Sequence, residues 1–191
     1  MAARSGMSNL IAQLRGMTNA GTVDYSIAGV TYWEDERLQE IMDRYRIDIT
    51  REQLYSVQKT VGGGSVEYYE YKSSYGWYEE TTGGTAIFII EAADGTDQTG
   101  YTVDYNRGDV TFASDTSGSV YYLTGRSYSM KSAAADVWRQ KAAHASASFD
   151  FSTDNHSVKR GQVVQHCLDM ADMYGGQGKP DIVTLYRSDA P

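Results

Sequence analysis

The chain has 191 residues, 41% hydrophobic and 22% charged, with a formal net charge of -8. These are ordinary values for a globular protein, and the length suffices for one domain with a full core or for two small ones. No apolar run approaches the roughly 20 residues that span a bilayer, and the single cysteine, Cys167, excludes an intramolecular disulfide.

The opening stretch MAARSGMSNLIAQLRGM lacks the continuous apolar region of a signal peptide, so an intracellular product that folds in the cytoplasm is expected. Three histidines and one cysteine make a poor metal inventory. His166 and Cys167 are adjacent and point in different directions on a helix. No metal and no cofactor is expected.

The first predicted helix is SNLIAQLRGM, with Leu10, Ile11 and Leu14 on one face and Asn19-Ala20-Gly21 as its stop. A connecting segment leads to a second helix. Thr31 and Glu34 have the spacing of a capping box. Trp33, Leu38, Ile41, Met42 and Tyr45 then recur at helical spacing, with acids in the first turn and Arg44 and Arg46 in the last. The helical texture is read to residue 50.

From Arg51 the period shortens to that of strands. LYSVQKTV alternates, VGGGS makes a turn, and SVEYYEYKSS, TAIFIIEA, GYTVDY, DVTFAS and SVYYLTGRSY follow, each bounded by turn residues. The spacing predicts a small antiparallel sandwich or barrel, with TAIFIIEA apolar enough to be its central strand. Residues 65–128 hold ten Asp or Glu against Lys72, Arg107 and Arg126, and ten of the sixteen tyrosines. Such an acidic segment repels phosphates and is not a DNA-binding module.

Helical texture returns in SMKSAAADVWRQKAAHASASF, where Ala134, Val137, Trp138, Ala142 and Ala145 share a face. A fourth helix lies within SVKRGQVVQHCLDMADMYGG. Its stripe is Val164, Cys167, Leu168, Ala171 and Tyr174, and Gly175-Gly176 is its stop. Cys167 reads as a small buried hydrophobe and His166 as a packed or solvated neighbour of the stripe. The predicted structural core is Trp33, Leu38, Ile41, Val137, Trp138, Val164 and Leu168. The tail GQGKPDIVTLYRSDAP has no helical period, yet Ile182, Val183, Leu185 and Tyr186 cluster in it. Such an arm is suited to adding a strand to a sheet edge or lying along a partner.

The expected class is therefore α+β. A small bundle of about four helices, 1–50 and 129–175, carries an inserted antiparallel β-rich subdomain, 51–128, and an extended C-terminal arm, 176–191.

Catalytic signatures are missing. There is no G-x-S-x-G, H-E-x-x-H, Walker A or dinucleotide fingerprint. Asp94-Gly95-Thr96-Asp97 lacks the closing glutamate of an EF-hand and reads as a turn. Glu79-Glu80 have no identifiable cleft. With no convergent set, no enzyme is expected. Arg107-Gly108-Asp109 matches the tripeptide that integrins recognise. Its flanks YTVDY and VTFA alternate, and Asn106-Arg107-Gly108 has turn chemistry, so a hairpin tip is the preferred reading. Tyr68, Tyr69, Tyr71, Tyr75, Trp77 and Tyr78 lie within eleven residues. They read as a sheet with one buried aromatic face, or as a contact surface to which Tyr69, Tyr71, Trp77 and Arg107 contribute. Sugar stacking is the less favoured alternative.

Two stretches carry a resemblance. VTYWEDERLQEIMDRYR, 17 residues, resembles the early helix of head-to-tail connector (adaptor) proteins of tailed bacteriophages, in which an aromatic and acidic start leads into the helix. YSMKSAAADVWRQKAAHASASFDFSTDNHSVKRGQVVQHCLDMADMY, 47 residues, is similar to the family's second half. There a tyrosine leads into an Ala-rich helix with a buried tryptophan. A D-F-S-x-D connector, a basic Ser-containing turn and a last amphipathic helix follow. The β-rich segment departs from the compact helical adaptors.

The resemblance implies a structural virion protein made in the host bacterial cytoplasm and placed in the phage neck. It would bind the portal ring, sit beside neighbouring copies in a ring of 12, and offer a surface to the next neck or tail protein. Genomic DNA would pass without sequence-specific binding, and no membrane is involved. The arm residues Ile182, Val183, Leu185 and Tyr186 would dock on the portal. The alternatives are a head-closure or tail-terminator protein, or a glycan- or host-contacting β domain on a helical anchor.

Overall fold

The fold is described from a computed structural model covering residues 2–21, 26–27, 30–82, 86–147, 151–153, 156–158 and 160–176. For residues 26, 27, 30, 31, 151–153, 156–158 and 160 only the backbone is described. The chain is α+β, with four helices and two antiparallel sheets of seven strands among the described residues. It divides into two compact units, Met1–Ala133 and Ala134–Pro191.

In the first unit a 3-10 turn, Ser5–Met7, leads into α1, Ser8–Thr18. Asn19 ends the helix in the left-handed conformation, at φ 49°, as its side chain readily allows. A two-stranded ribbon of β1, Ser26–Ile27, and β2, Val30–Thr31, precedes α2, Asp35–Asp43. The capping box does not form: Thr31 lies in β2, and Glu34 caps α2 without a side-chain hydrogen bond. Asp35 and Glu36 instead meet the positive end of the helix. Leu10, Ile11, Leu14, Trp33, Leu38, Ile41 and Met42 are buried, which gives α1 and α2 their mutual apolar faces.

Helix α2 stops earlier than its spacing predicts. Arg46 and Ile47 already belong to a strand, β3, Arg46–Gln53. After Leu54, whose N–H donates to the Tyr121 carbonyl at 2.9 Å, the chain continues as β4, Tyr55–Thr60. The chain thus passes from one sheet to the other at Leu54.

Then come β5, Val66–Lys72, β6, Ile89–Ala92, β7, Tyr101–Asp104, β8, Asp109–Phe112, and β9, Tyr121–Tyr128. The sheets have strand orders β3-β9-β6 and β4-β5-β8-β7. The central strand of the first is β9, not the apolar TAIFIIEA run, whose strand β6 lies at the edge. That run is apolar because Phe88 and Ile90 point into the core. β9 alternates buried and half-exposed positions instead, as a strand with one core face must.

One core joins the sheets: Ile49, Leu54, Tyr71, Tyr78, Phe88, Ile90, Val110, Phe112, Tyr121 and Leu123. Its aromatic rings pack edge-on, except Phe112 and Tyr121, which stack at 4.7 Å.

The α3 helix, Met130–Ser146, crosses the unit boundary. A ribbon of β10, Phe151–Thr153, and β11, His156–Val158, follows, and then α4, Arg160–Gly176. In the second unit Trp138 and Ala142 pack against Cys167 and Ala171, with Val164, Met170 and Tyr174 at the rim. His166 meets the Trp138 ring edge-on at 5.9 Å. Val137 is buried, but Leu168 is 41% exposed and is not a core residue. It stands on the flank of the stripe centred on Cys167 and Ala171.

Candidate partner-binding surface

The tripeptide Arg107-Gly108-Asp109 lies where β7 turns into β8. Asp104 closes the turn: its side chain accepts the N–H groups of Asn106 and Arg107, and its carbonyl accepts Gly108 N–H at 2.8 Å. Gly108 has φ 73°. A Cβ there would lie 2.3 Å from the Tyr75 carbonyl oxygen, and one on Gly76 would lie 2.5 Å from that of Asn106. The tip is thus pressed against residues 73–78. Ser73, Trp77 and Tyr78 donate their N–H groups to Gly108, Asn106 and Tyr105. Asn9 of α1 donates to the Asn106 side chain at 3.2 Å. Arg107 and Asp109 pair with each other at 3.2 Å. The hairpin tip is a docked structural corner rather than a free loop.

The four residues expected to form a contact surface separate. Tyr71 is fully buried, a correction to that expectation. Its ring packs on Phe112 and Tyr121, and its hydroxyl engages Thr116 and donates to the Ser119 carbonyl. Inward-facing β5 positions serve the core, and the tyrosine run gives no sign of which positions those are. Trp77 is half-buried, its N–H on the Asn106 carbonyl, and Arg107 is exposed. Trp77 sits at φ 59°, an unfavourable backbone for a bulky side chain. Tyr69 lies elsewhere, in a groove of about 460 Å³ with Val57, Lys59, Glu67, Glu70 and Thr111. The hydrogen bond to Glu67 pushes its phenol up from the ordinary value.

Two polar clusters were not legible in the sequence. In one, Ser73 bridges the Tyr78 hydroxyl, at 2.5 Å, and the Glu52 carboxylate, at 2.7 Å. Burial is the main reason the Tyr78 phenol is pushed well up. In the other, Glu79 is fully buried and receives Arg4 at 2.8 Å, the Tyr128 hydroxyl at 2.7 Å and Arg126 at 3.6 Å. Arg4 also forks onto Asp43 at 2.6 and 2.9 Å. Burial pushes the Tyr128 phenol up first, and its bond to Glu79 adds to that. Burial pulls Asp43 upward, but Arg4's hydrogen bond and charge outweigh it and hold the carboxyl below its ordinary value. Both clusters fasten segments that are far apart in the chain.

Among the described residues no group of His, Cys, Asp and Glu is arranged to hold a metal ion, and no helix is long and apolar enough to cross a membrane. The predicted docking residues Ile182, Val183, Leu185 and Tyr186 lie outside the described residues. Comparisons with protein-family models, curated proteins and solved structures found no match.

Proposed function

We propose that this chain is a structural virion protein of the phage neck, a head-to-tail adaptor that binds the portal ring and extends the DNA channel toward the tail. The observation that carries the proposal is the run from Tyr128 to Tyr174. It resembles the second half of the adaptor family and folds as α3, the β10–β11 ribbon and α4, with Trp138 buried between the helices. The other stretch of resemblance contains α2, with the buried Trp33 just before it.

The described surface fits a scaffold role. Its polar clusters lock distant segments together. The excess of acid in residues 65–128 suits a surface past which DNA moves without being held.

Mixing the purified chain with purified portal rings tests the proposal. Electron microscopy is expected to show a ring of copies seated on the portal. A chain that ignores portal and binds tail components would instead be a head-closure or tail-terminator protein.

A further inference from the structure

The four-stranded sheet has two open edges, β4 and β7, since each has one hydrogen-bonded neighbour among the described residues. Val61 N–H donates to the Ser65 carbonyl at 3.0 Å, which fixes the alternation along β4. Tyr55, Val57 and Lys59 turn their backbone groups toward β5, while Ser56, Gln58 and Thr60 turn theirs outward. Ala113 N–H donates to the Gly100 carbonyl in the same way, so Tyr101 and Val103 are the outward positions of β7. That edge ends at Tyr105, whose carbonyl accepts Tyr78 N–H.

No proline lies in either strand, and the irregularity between Val57 and Lys59 puts the extra residue on β5, so β4 stays regular. Tyr55 is 65% exposed.

The two edges are complementary in charge. β4 carries Lys59 and no acid, whereas β7 carries Asp104 and no base. Lys59 and Asp104 stand on the same face, because the rows Val57–Glu70–Thr111–Thr102 and Tyr55–Lys72–Asp109–Asp104 cross the sheet in register. The strand count also matters. With four antiparallel strands, β4 and β7 run in opposite directions. A rotation about an axis along the strands therefore sets β7 of one copy antiparallel to β4 of the next.

We propose that copies of this chain join head to tail through β7 of one and the β4 edge of the next, making one continuous sheet between neighbours. The contact is heterologous, so it generates a ring when the rotation closes. It deepens the adaptor reading by naming the interface between neighbouring copies, and it needs no portal to be tested.

The full chain carrying Lys59→Cys and Thr102→Cys, with Cys167→Ala in this and in the single variants so that no native thiol takes part, is oxidised mildly. The two positions are three strand spacings apart, about 14 Å, beyond the reach of a disulfide within one copy. A ladder of covalent oligomers is expected, whereas each single variant stops at dimers. Adding Gln58→Pro removes an outward N–H without touching the β5 ladder and should abolish the ladder of oligomers. Ser56→Pro should do the same, and circular dichroism and a cooperative melt identify whichever variant keeps its fold.

Failure of the double variant to go beyond dimers overturns the proposal. So does a ladder that persists in a folded proline variant. Portal binding by a folded Gln58→Pro chain as isolated copies would leave the adaptor reading standing, so the two can fail separately.

Discussion

Arg4 donates from Nε to Oε1 of Glu79 at 2.8 Å, across 75 residues of chain. The same guanidinium forks onto Asp43 and touches the Tyr128 hydroxyl, so four distant segments meet at one buried carboxylate. Removing Arg4 leaves Glu79 buried with Tyr128 and a longer contact to Arg126. Arg4→Ala is therefore expected to cost about 3–5 kcal/mol, read from urea denaturation. Arg4→Lys recovers only part of it, because an ammonium cannot fork onto Asp43 while reaching Glu79.

The same cluster sets the response to pH. Asp43 has a folded value below its unfolded one. Its contribution is present in full above about pH 4 and is lost as pH falls through the lowered value. Asp43→Asn should flatten the acid limb of a stability-versus-pH curve. Tyr128 has the opposite sign. Its raised value makes its contribution complete below about pH 10 and lost as pH rises toward the folded value. Tyr128→Phe should flatten the alkaline limb, measured by denaturation between pH 8 and about 11.

Gly108 is the residue of the Arg-Gly-Asp turn that the fold requires. Its positive φ and the Tyr75 carbonyl 2.3 Å from any added Cβ predict that Gly108→Ala destabilises by more than about 1 kcal/mol. Arg107→Ala, at a side chain 68% exposed, should stay within about 0.5 kcal/mol. Thermal melts of the two variants separate a structural corner from a tripeptide displayed for recognition.

The sequence made some of this legible and hid the rest for identifiable reasons. The stop at Asn19, the β-rich middle with its turns at VGGGS and Asp94-Gly95, and the spans of α3 and α4 follow from local chemistry that the tertiary structure leaves alone. The end of α2 is hidden because RYRID supports either a helical last turn or the start of a strand. Pairing with β9, Arg46 to Tyr128, decides it. Strand order was hidden for the same reason: the apolar run around Ile89 reads as central, yet order depends on partners far along the chain. Tyr69 and Tyr71 would share a face in a regular strand, and only the extra residue that β5 carries between Glu67 and Glu70 separates them, so that Tyr71 alone is buried. The Arg4–Glu79–Tyr128 cluster joins residues too far apart for any local pattern to pair them.

The adaptor reading places portal docking on the arm, Ile182, Val183, Leu185 and Tyr186, beyond the end of α4 at Gly176. The most direct measurement is the affinity for purified portal rings of the full chain and of a chain lacking residues 177–191. Circular dichroism and melting temperature verify that both are folded. The account predicts saturable binding by the full chain and none by the folded truncated chain. Absence of portal binding by the full chain would contradict the adaptor function, and equal binding by both would contradict the arm as its docking element.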